Sequence, residues 1–290
     1  MSDDMAEPIN VHYSASGKSF TAVAINTAAK AGEWIKSKLG AYTSLNQKTS
    51  PGDLVTEIDK GSEKLIKNLI MTHFPEHSFL GEEGVEPGPL ASAQALENVK
   101  DADYLWIVDP IDGTTNFVHG FPFFSVSIAL AFKGEVIVGV VYDPSRDELF
   151  VAEKGKGAYL RGKPIHVSPE PVLAESLFAT GFPIDPVTAL PTNMRGLTAV
   201  LPKVRNIRNG GSAALHLAYV AAGRLSGFWE INLNAWDLAA GSLLVQEAGG
   251  KVTDTAGQPY HLGVRNVAAT NGHVHQEFID VLKEADAVGL

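Results

Sequence analysis

Cysteine is absent from the 290 residues. Disulfides, thiolate metal sites and a cysteine nucleophile are therefore excluded, and any metal must be held by oxygen or imidazole. No run of basic residues occurs, and the formal net charge is −10. Nucleic acid and anionic membrane are poor partners for such a surface. An acidic chain can still take an anionic substrate when cations reverse the local field. Long hydrophobic runs are missing too. The most apolar stretch, Phe123 to Phe132, has ten residues, two of them serines, well short of a membrane span. The opening Met-Ser-Asp-Asp-Met-Ala-Glu is acidic and lacks the apolar core of a secretory signal. A soluble cytoplasmic protein is expected. There is no HExxH pattern, no internal repeat and no low-complexity tract.

What is present is an ordinary globular composition, 45% hydrophobic and 19% charged. The length suits one large or two closely packed domains. Residues 1–17 read as a loose tail. Phe20, Ala24, Ala28, Ala31, Ile35 and Leu39 recur at helical spacing, and Gly40 fits a stop. Residues 44–53, with Pro51-Gly52, read as a loop. A second helix is expected from about Ile58 to His73, then a short strand at Ser78-Phe79-Leu80. Residues 85–103 read as an acidic connection. Strands are expected at Tyr104–Val108, Phe124–Phe132, Glu135–Tyr142 and Glu148–Ala152, with Lys133-Gly134 as a tight hairpin and Gly155-Lys156-Gly157 as a turn. Three prolines interrupt residues 161–175, and a boundary is placed there, giving domains of 1–165 and 166–290. The second half alternates. Strands are expected near Leu177–Thr180, Ser226–Trp229, Val252 and Val267. Helices are expected near Pro186–Val200, Ser212–Ala222, Trp236–Ala248 and from His273. The class is mixed α/β.

Acidic residues at the ends of apolar elements carry the chemistry. Asp59 closes Asp53-Leu54-Val55-Thr56-Glu57-Ile58-Asp59, Glu82 follows a strand and a glycine, Asp109 and Asp112 flank Pro110-Ile111, and Asp237 follows Trp236. Singly, each has an ordinary explanation as a turn, a helix cap or a solvated loop acid. Converging carboxylates repel one another unless cations sit between them. Without cysteine, the suitable cations are hard ones, Mg²⁺ or Mn²⁺. Gly113-Thr114-Thr115 adds a place for an oxyanion, at backbone N–H groups and the start of a helix. Pro110 fixes φ, so the Asp109–Asp112 spacing is expected to be a rigid turn. Together these point to phosphoryl chemistry.

With those segments, and with Trp106 to Phe117, Trp236-Asp237-Leu238-Ala239-Ala240-Gly241 and Glu247-Ala248-Gly249-Gly250, the chain resembles the inositol monophosphatase family of Mg²⁺-dependent, lithium-sensitive phosphatases over roughly residues 20–285. The resemblance implies an αβαβα layered sandwich, of the type shared with fructose-1,6-bisphosphatase, and a homodimer. It implies two or three Mg²⁺ ions, replaceable by Mn²⁺, on Glu82, Asp109, Asp112, Asp237 and the carbonyl of Ile111. Asp59 and Thr114, with Glu82 assisting, are implied to orient and activate the attacking water. Phosphate would meet Gly113 and Thr114. Ala213 and Glu230 match positions that contact polyol hydroxyls, beside Asp112 and Asp237.

The leading expectation is hydrolysis of inositol-1-phosphate. Alternatives are fructose-1,6-bisphosphate, 3′-phosphoadenosine 5′-phosphate, or a regulatory binding protein that keeps the fold. A small phosphorylated polyol or sugar is the expected partner. A covalent aspartyl phosphate on Asp109 is disfavoured, because the Asp-x-Asp typical of that mechanism is missing near the N-terminus. His119 reads as structural, and His216 as core or interface. Trp106 and Trp236 read as bracing. Arg208 could bind an anion or tie a loop. Lys48 reads as a solvated lysine or as part of a lid.

Overall fold

The computed structural model describes residues 17, 19–41, 45–48 and 54–289, with the backbone alone of residues 47 and 54. The expected tail at 1–17 (Gly17 apart), Pro51-Gly52 and Asp53 lie outside the described residues. Helix α1 (Phe20–Lys36) starts where the Ser19 hydroxyl accepts a hydrogen bond from the Ala22 N–H. It buries Phe20, Ala24, Ala28, Ala31 and Ile35, the stripe that periodicity predicts. Leu39 lies beyond its end and is exposed. Part of the expected 44–53 loop is a strand. β1 (Leu45–Gln47) pairs antiparallel with β2 (Leu54–Thr56). Helix α2 (Glu57–His73) follows β2 directly, closed at its start by a capping box between Thr56 and Asp59.

Strand β3 (Ser78–Gly81) leads to α3 (Pro89–Glu97). This helix is a correction, since the segment reads as a connection. It buries only Ser92, so it leaves no apolar stripe for periodicity to detect, and its only marker is Pro89 at the first turn. Next come β4 (Tyr104–Asp112), α4 (Thr114–His119), β5 (Ser125–Phe132), β6 (Glu135–Asp143), β7 (Glu148–Glu153), β8 (Ala158–Leu160) and β9 (Lys163–Ile165). They form one sheet in the order β3-β4-β5-β6-β7-β8-β9. Only the β3–β4 pair is parallel. At the β5–β6 hairpin, Lys133 (φ 49°) and Gly134 (φ 81°) both adopt positive φ, which a two-residue turn of this twist requires.

The second half holds β10 (Leu177–Thr180), α5 (Ala189–Val200), β11 (Asn206–Arg208), α6 (Ala213–Ala221), β12 (Gly227–Glu230), α7 (Ala235–Glu247), β13 (Lys251–Asp254), β14 (Val267–Thr270) and α8 (His275–Glu284). Its sheet runs β11-β10-β12-β14-β13. The layers are α1 and α2, the first sheet, α6 and α7, the second sheet, then α5 and α8. This is the αβαβα order that the resemblance implies.

Three apolar clusters fill the gaps between layers. The central one joins Leu105, Ile107 and Phe150 of the first sheet to Phe228, Val267 and Ala269 of the second through α6 and α7. We propose residues 165/166 as the seam between halves, with the core continuous across it. Helix α7 is buried on nearly every side, as befits a helix between two sheets. A Cβ at Gly139 would lie 2.6 Å from the Ala240 carbonyl oxygen. Glycine there lets α7 lie directly on β6, which sets where the start of α7 falls. Among the described residues, no helix is long and apolar enough to cross a membrane.

Candidate active site

Strand pairing assembles the acids. Gly81 on β3 is level with Val108 on β4 in parallel register. The next residues along, Glu82 and Asp109, therefore emerge side by side at the same sheet edge. The expected rigid turn at Asp109–Asp112 is instead the bulged end of β4. Asp109 pairs with Ser127 and Asp112 with Ser125, and the register shifts between them. Pro110 has no N–H to give a ladder, so it fits a bulge. The bulge re-aims both carboxylates. The Asp109 carboxylate also accepts from the Ile111 N–H at 2.9 Å.

Asp112 reaches the second half of the chain. Its carboxylate accepts from the Ser212 hydroxyl (2.6 Å), the Ala214 N–H (2.7 Å) and the Ala213 N–H (3.3 Å), so it caps α6 from across the interface. Ser212 also accepts from the Leu215 N–H. Asp237 enters on the first turn of α7 and accepts from the Asn234 N–H at 2.7 Å. The Ser127 hydroxyl on β5 donates to the Trp236 carbonyl at 3.1 Å, which pins the start of α7 to the first sheet. One oxygen from each of Asp109, Asp112 and Asp237 lies within 4.8 Å of the others.

Asp59 is joined to the end of β4 through Thr114. It is buried, and it accepts from the N–H and hydroxyl of Thr56 and from the Thr114 hydroxyl at 2.9 Å. The Thr114 hydroxyl is also 3.1 Å from the Ile111 carbonyl. The ordinary reading of Asp59 as a helix cap and its role beside Thr114 thus coexist on two carboxylate oxygens. Gly113 starts α4 in the left-handed region, φ 98°. A Cβ there would lie 3.0 Å from the Gly211 carbonyl oxygen, so close approach and backbone angle both require glycine. The Asn116 side chain clamps the same corner, donating to the Phe123 and Gly210 carbonyls.

Burial is the first cause of every large shift here. It pushes Asp109 well above the usual carboxylate range, helped by the charges of Glu82, Asp112 and Asp237. It pushes Asp237 the same way, with Asp112 and Glu82 adding. Asp112 rises to about 6 despite its hydrogen bonds from Ser212, Ala214 and Ala213. Glu230, beside Asp237 and Asp112, is also raised well above its ordinary value. The donor set fits hard cations. It is all oxygen, and each anion is disfavoured by desolvation and by its neighbours, which a cation between them would relieve.

Glu82 and Glu83 both pair with Lys48, at 2.8 and 2.6 Å. The lysine is largely buried, which corrects the reading of a solvated side chain. Burial alone would lower its pKa, but the two carboxylates hold it above its ordinary value. Periodicity could not reveal this pair, because the partners are 34 and 35 residues apart.

The sequence profile of the inositol monophosphatase family matches residues 17–287. The chain belongs to that family. It is 47% identical over 271 residues to inositol monophosphatase 2 of Solanum lycopersicum, covering 92% of this chain and 99% of the relative. It is 40% identical to the Nus factor SuhB of Pasteurella multocida, covering 90% and 94%. The solved structure of extragenic suppressor protein suhB from Bartonella henselae superposes with a TM-score of 0.81 at 41% identity, covering 91% of this chain and 98% of that one. Membership supports phosphate monoester hydrolysis as the reaction class.

In this inositol monophosphatase family chain, the remaining expected residues divide. Glu230 ends β12 and lines a cleft of about 710 Å³ together with Glu82 and Asp237. Ala213 is buried and its N–H is committed to Asp112. His216 is core, kept neutral by burial at a pKa of about 3, and it accepts from the Gly210 N–H. His119 is exposed on the last turn of α4. Trp106 is fully buried and donates to His77, and Trp236 is buried too, so both side chains are packed in the core. Arg208 is exposed and donates to the Ile207 carbonyl. Ser212 and Arg265 escaped the sequence reading as site residues. Ser212 carried a signal, as a serine just before a helix. Arg265, which holds Asn234 and Asn232, carried none.

Gly181 lies against the Glu230 side chain, where a Cβ would lie 2.0 Å from a carboxylate oxygen. Gly181→Ala is expected to push that carboxylate into the cleft that it lines, with a stability change under about 1 kcal/mol, read from the urea midpoint.

Proposed function

We propose that the protein hydrolyses a small phosphate monoester with Mg²⁺, and that inositol-1-phosphate is its leading substrate. The observation that carries this reading is the Asp59–Thr114 hydrogen bond, whose hydroxyl also reaches the Ile111 carbonyl between Asp109 and Asp112, two members of the three-carboxylate group. Glu82, Asp109, Asp112, Asp237 and the Ile111 carbonyl would hold two or three cations. Bound there, such ions supply a lowered pKa for a coordinated water and offset charge on the phosphate and the leaving oxygen.

The chain's own groups position the reaction. The Thr114 hydroxyl gives its proton to the Asp59 hydrogen bond, which leaves an oxygen lone pair to accept from the attacking water. Asp59 has its pKa raised by burial, against the hydrogen bonds from Thr56 that lower it. That makes it a better proton acceptor than an exposed carboxylate. Gly113 and Thr114 offer first-turn N–H groups to phosphate oxygens. Glu230 accepts hydrogen bonds from hydroxyls of the alcohol. Thr114→Val is expected to lower kcat by about 10²–10⁴ with little change in KM, measured as phosphate release.

A panel of inositol-1-phosphate, fructose-1,6-bisphosphate and 3′-phosphoadenosine 5′-phosphate, each with and without Mg²⁺, tests the substrate. A preference of about tenfold or more for the nucleotide would replace the leading choice. No metal-dependent phosphate release from any of them would end the hydrolase reading. Lithium inhibition, a homodimer and a cytoplasmic location belong to the same proposal, the dimer being checked by sedimentation.

A further inference from the structure

We propose that Arg265 is a positioning residue of the active site: its guanidinium fork fixes the link between β12 and α7, and with it the spacing of Glu230 and Asp237. This rests on the phosphatase reading above, which gives Asp237 to a cation and Glu230 to the alcohol. Glu230 is the last residue of β12, and Asp237 lies in the first turn of α7. Residues 231–234 are all that joins the two elements. Any play in that short link becomes play between the two acids.

Strand pairing brings Arg265 to the link. In the antiparallel register of β12 on β14, Glu230 is level with Val267. The residues just before β14 therefore lie alongside those just after Glu230. Hydrogen bonds join the two segments at several points. The Arg265 carbonyl accepts from the Leu233 N–H at 2.7 Å. The Asn266 side chain accepts from the Asn232 N–H at 3.0 Å. The guanidinium then reaches across the link. Its Nη1 donates to the Asn234 side-chain oxygen at 2.6 Å, and its Nη2 to the Asn232 side-chain oxygen at 2.8 Å.

Both anchors lead to the site. Asn234 is the residue before α7, and its own N–H donates to the Asp237 carboxylate at 2.7 Å. Asn232 stands at φ 66°, in the left-handed region, which asparagine enters more readily than most residues. Holding both amide oxygens at once takes a planar fork, which arginine has and lysine lacks. Among the described residues Arg265 forms no ion pair, so the fork serves the link. Its positive charge also favours the Asp237 carboxylate. A lysine would keep that charge and lose the fork, which separates the two effects.

The test measures Mg²⁺ binding by calorimetry in the wild-type chain, Arg265→Ala, Arg265→Lys and Asn232→Gly. Arg195→Ala is the control for losing an arginine tether, since Arg195 lies on α5, donates to the Asp286 carbonyl and does not line the cleft. Arg265→Ala is expected to weaken Mg²⁺ binding about 10- to 100-fold, the scale of an outer-shell partner. Arg265→Lys should weaken it nearly as much, and Arg195→Ala should leave it unchanged. Glycine suits the left-handed backbone at 232, so Asn232→Gly removes one anchor without strain and answers if Arg265→Ala does not fold. Mg²⁺ binding should weaken in it too. In the metal-free chain, amide exchange at Leu233 and Asn234 should quicken about tenfold in Arg265→Ala and Asn232→Gly, the scale of one charged hydrogen bond. That arm needs neither metal nor substrate. A wild-type chain that binds no Mg²⁺ therefore overturns the cation site, while exchange still decides the role of Arg265. Unchanged exchange overturns that role, as does Mg²⁺ binding as tight in a folded Arg265→Ala as in the wild type. Full Mg²⁺ binding in Arg265→Lys overturns it as well, by assigning the residue to charge alone.

Discussion

Asp109→Asn and Asp112→Asn will each lose Mg²⁺-dependent phosphate release by about three orders of magnitude or more, beyond the 10- to 100-fold typical of losing an outer-shell partner. The two should differ in stability. Asp109 is buried among Glu82, Asp112 and Asp237, and its carboxylate accepts one local N–H. An asparagine oxygen can accept that bond while removing a like charge, so Asp109→Asn should be more heat-stable than the wild type in chelator. Asp112 instead accepts from Ser212, Ala214 and Ala213. Its replacement leaves the cap on α6 with one oxygen fewer and should be less stable at neutral pH. Scanning calorimetry in chelator separates the cases. Near-normal Mg²⁺-dependent turnover in either variant would remove the proposed ligand set.

The second large effect is on stability against pH. In the metal-free chain, Asp112 has its pKa pushed up to about 6 by burial, from an ordinary 3.8. A carboxyl whose folded value exceeds its unfolded value binds more protons in the folded state between the two. Its contribution is complete below the unfolded value and is lost as pH rises through that window. For Asp112 this loss is about 3 kcal/mol between pH 3.8 and about pH 6. Asp109, Asp237 and Glu230, also raised by burial, act in the same direction. The melting temperature in chelator should therefore fall as pH rises from about 4 to about 6. Saturating Mg²⁺ at the upper pH should raise it by about 5–10 °C, the scale of a ligand at about a hundred times its Kd. A melting temperature that ignores both pH and Mg²⁺ would contradict the cation site.

Much of this is legible in the sequence. The stripe of α1 follows from helical spacing, and the strands β4 to β7 from their β-branched and aromatic residues. The acids were legible because each ends an apolar run. Helix α3 was not, since it buries almost nothing. The bulge at Pro110 was not, because Asp-Pro-Ile-Asp fits a turn equally well in isolation. Lys48 and Arg265 were illegible for one reason: their partners are distant in sequence, and only folding brings them close.

The sequence by itself determined the chemical vocabulary of this protein. It supplied no thiolate, a Gly-Thr-Thr step for an oxyanion and five acids at element ends, since those choices are made residue by residue. Tertiary structure alone decided that these acids meet. The parallel register of β3 on β4 sets Glu82 beside Asp109. The bulge turns Asp112 toward α6. The close seat of α7 on Gly139 and Ser127 delivers Asp237. Register, bulge and helix seating are set by how side chains pack between layers, which no local spacing encodes.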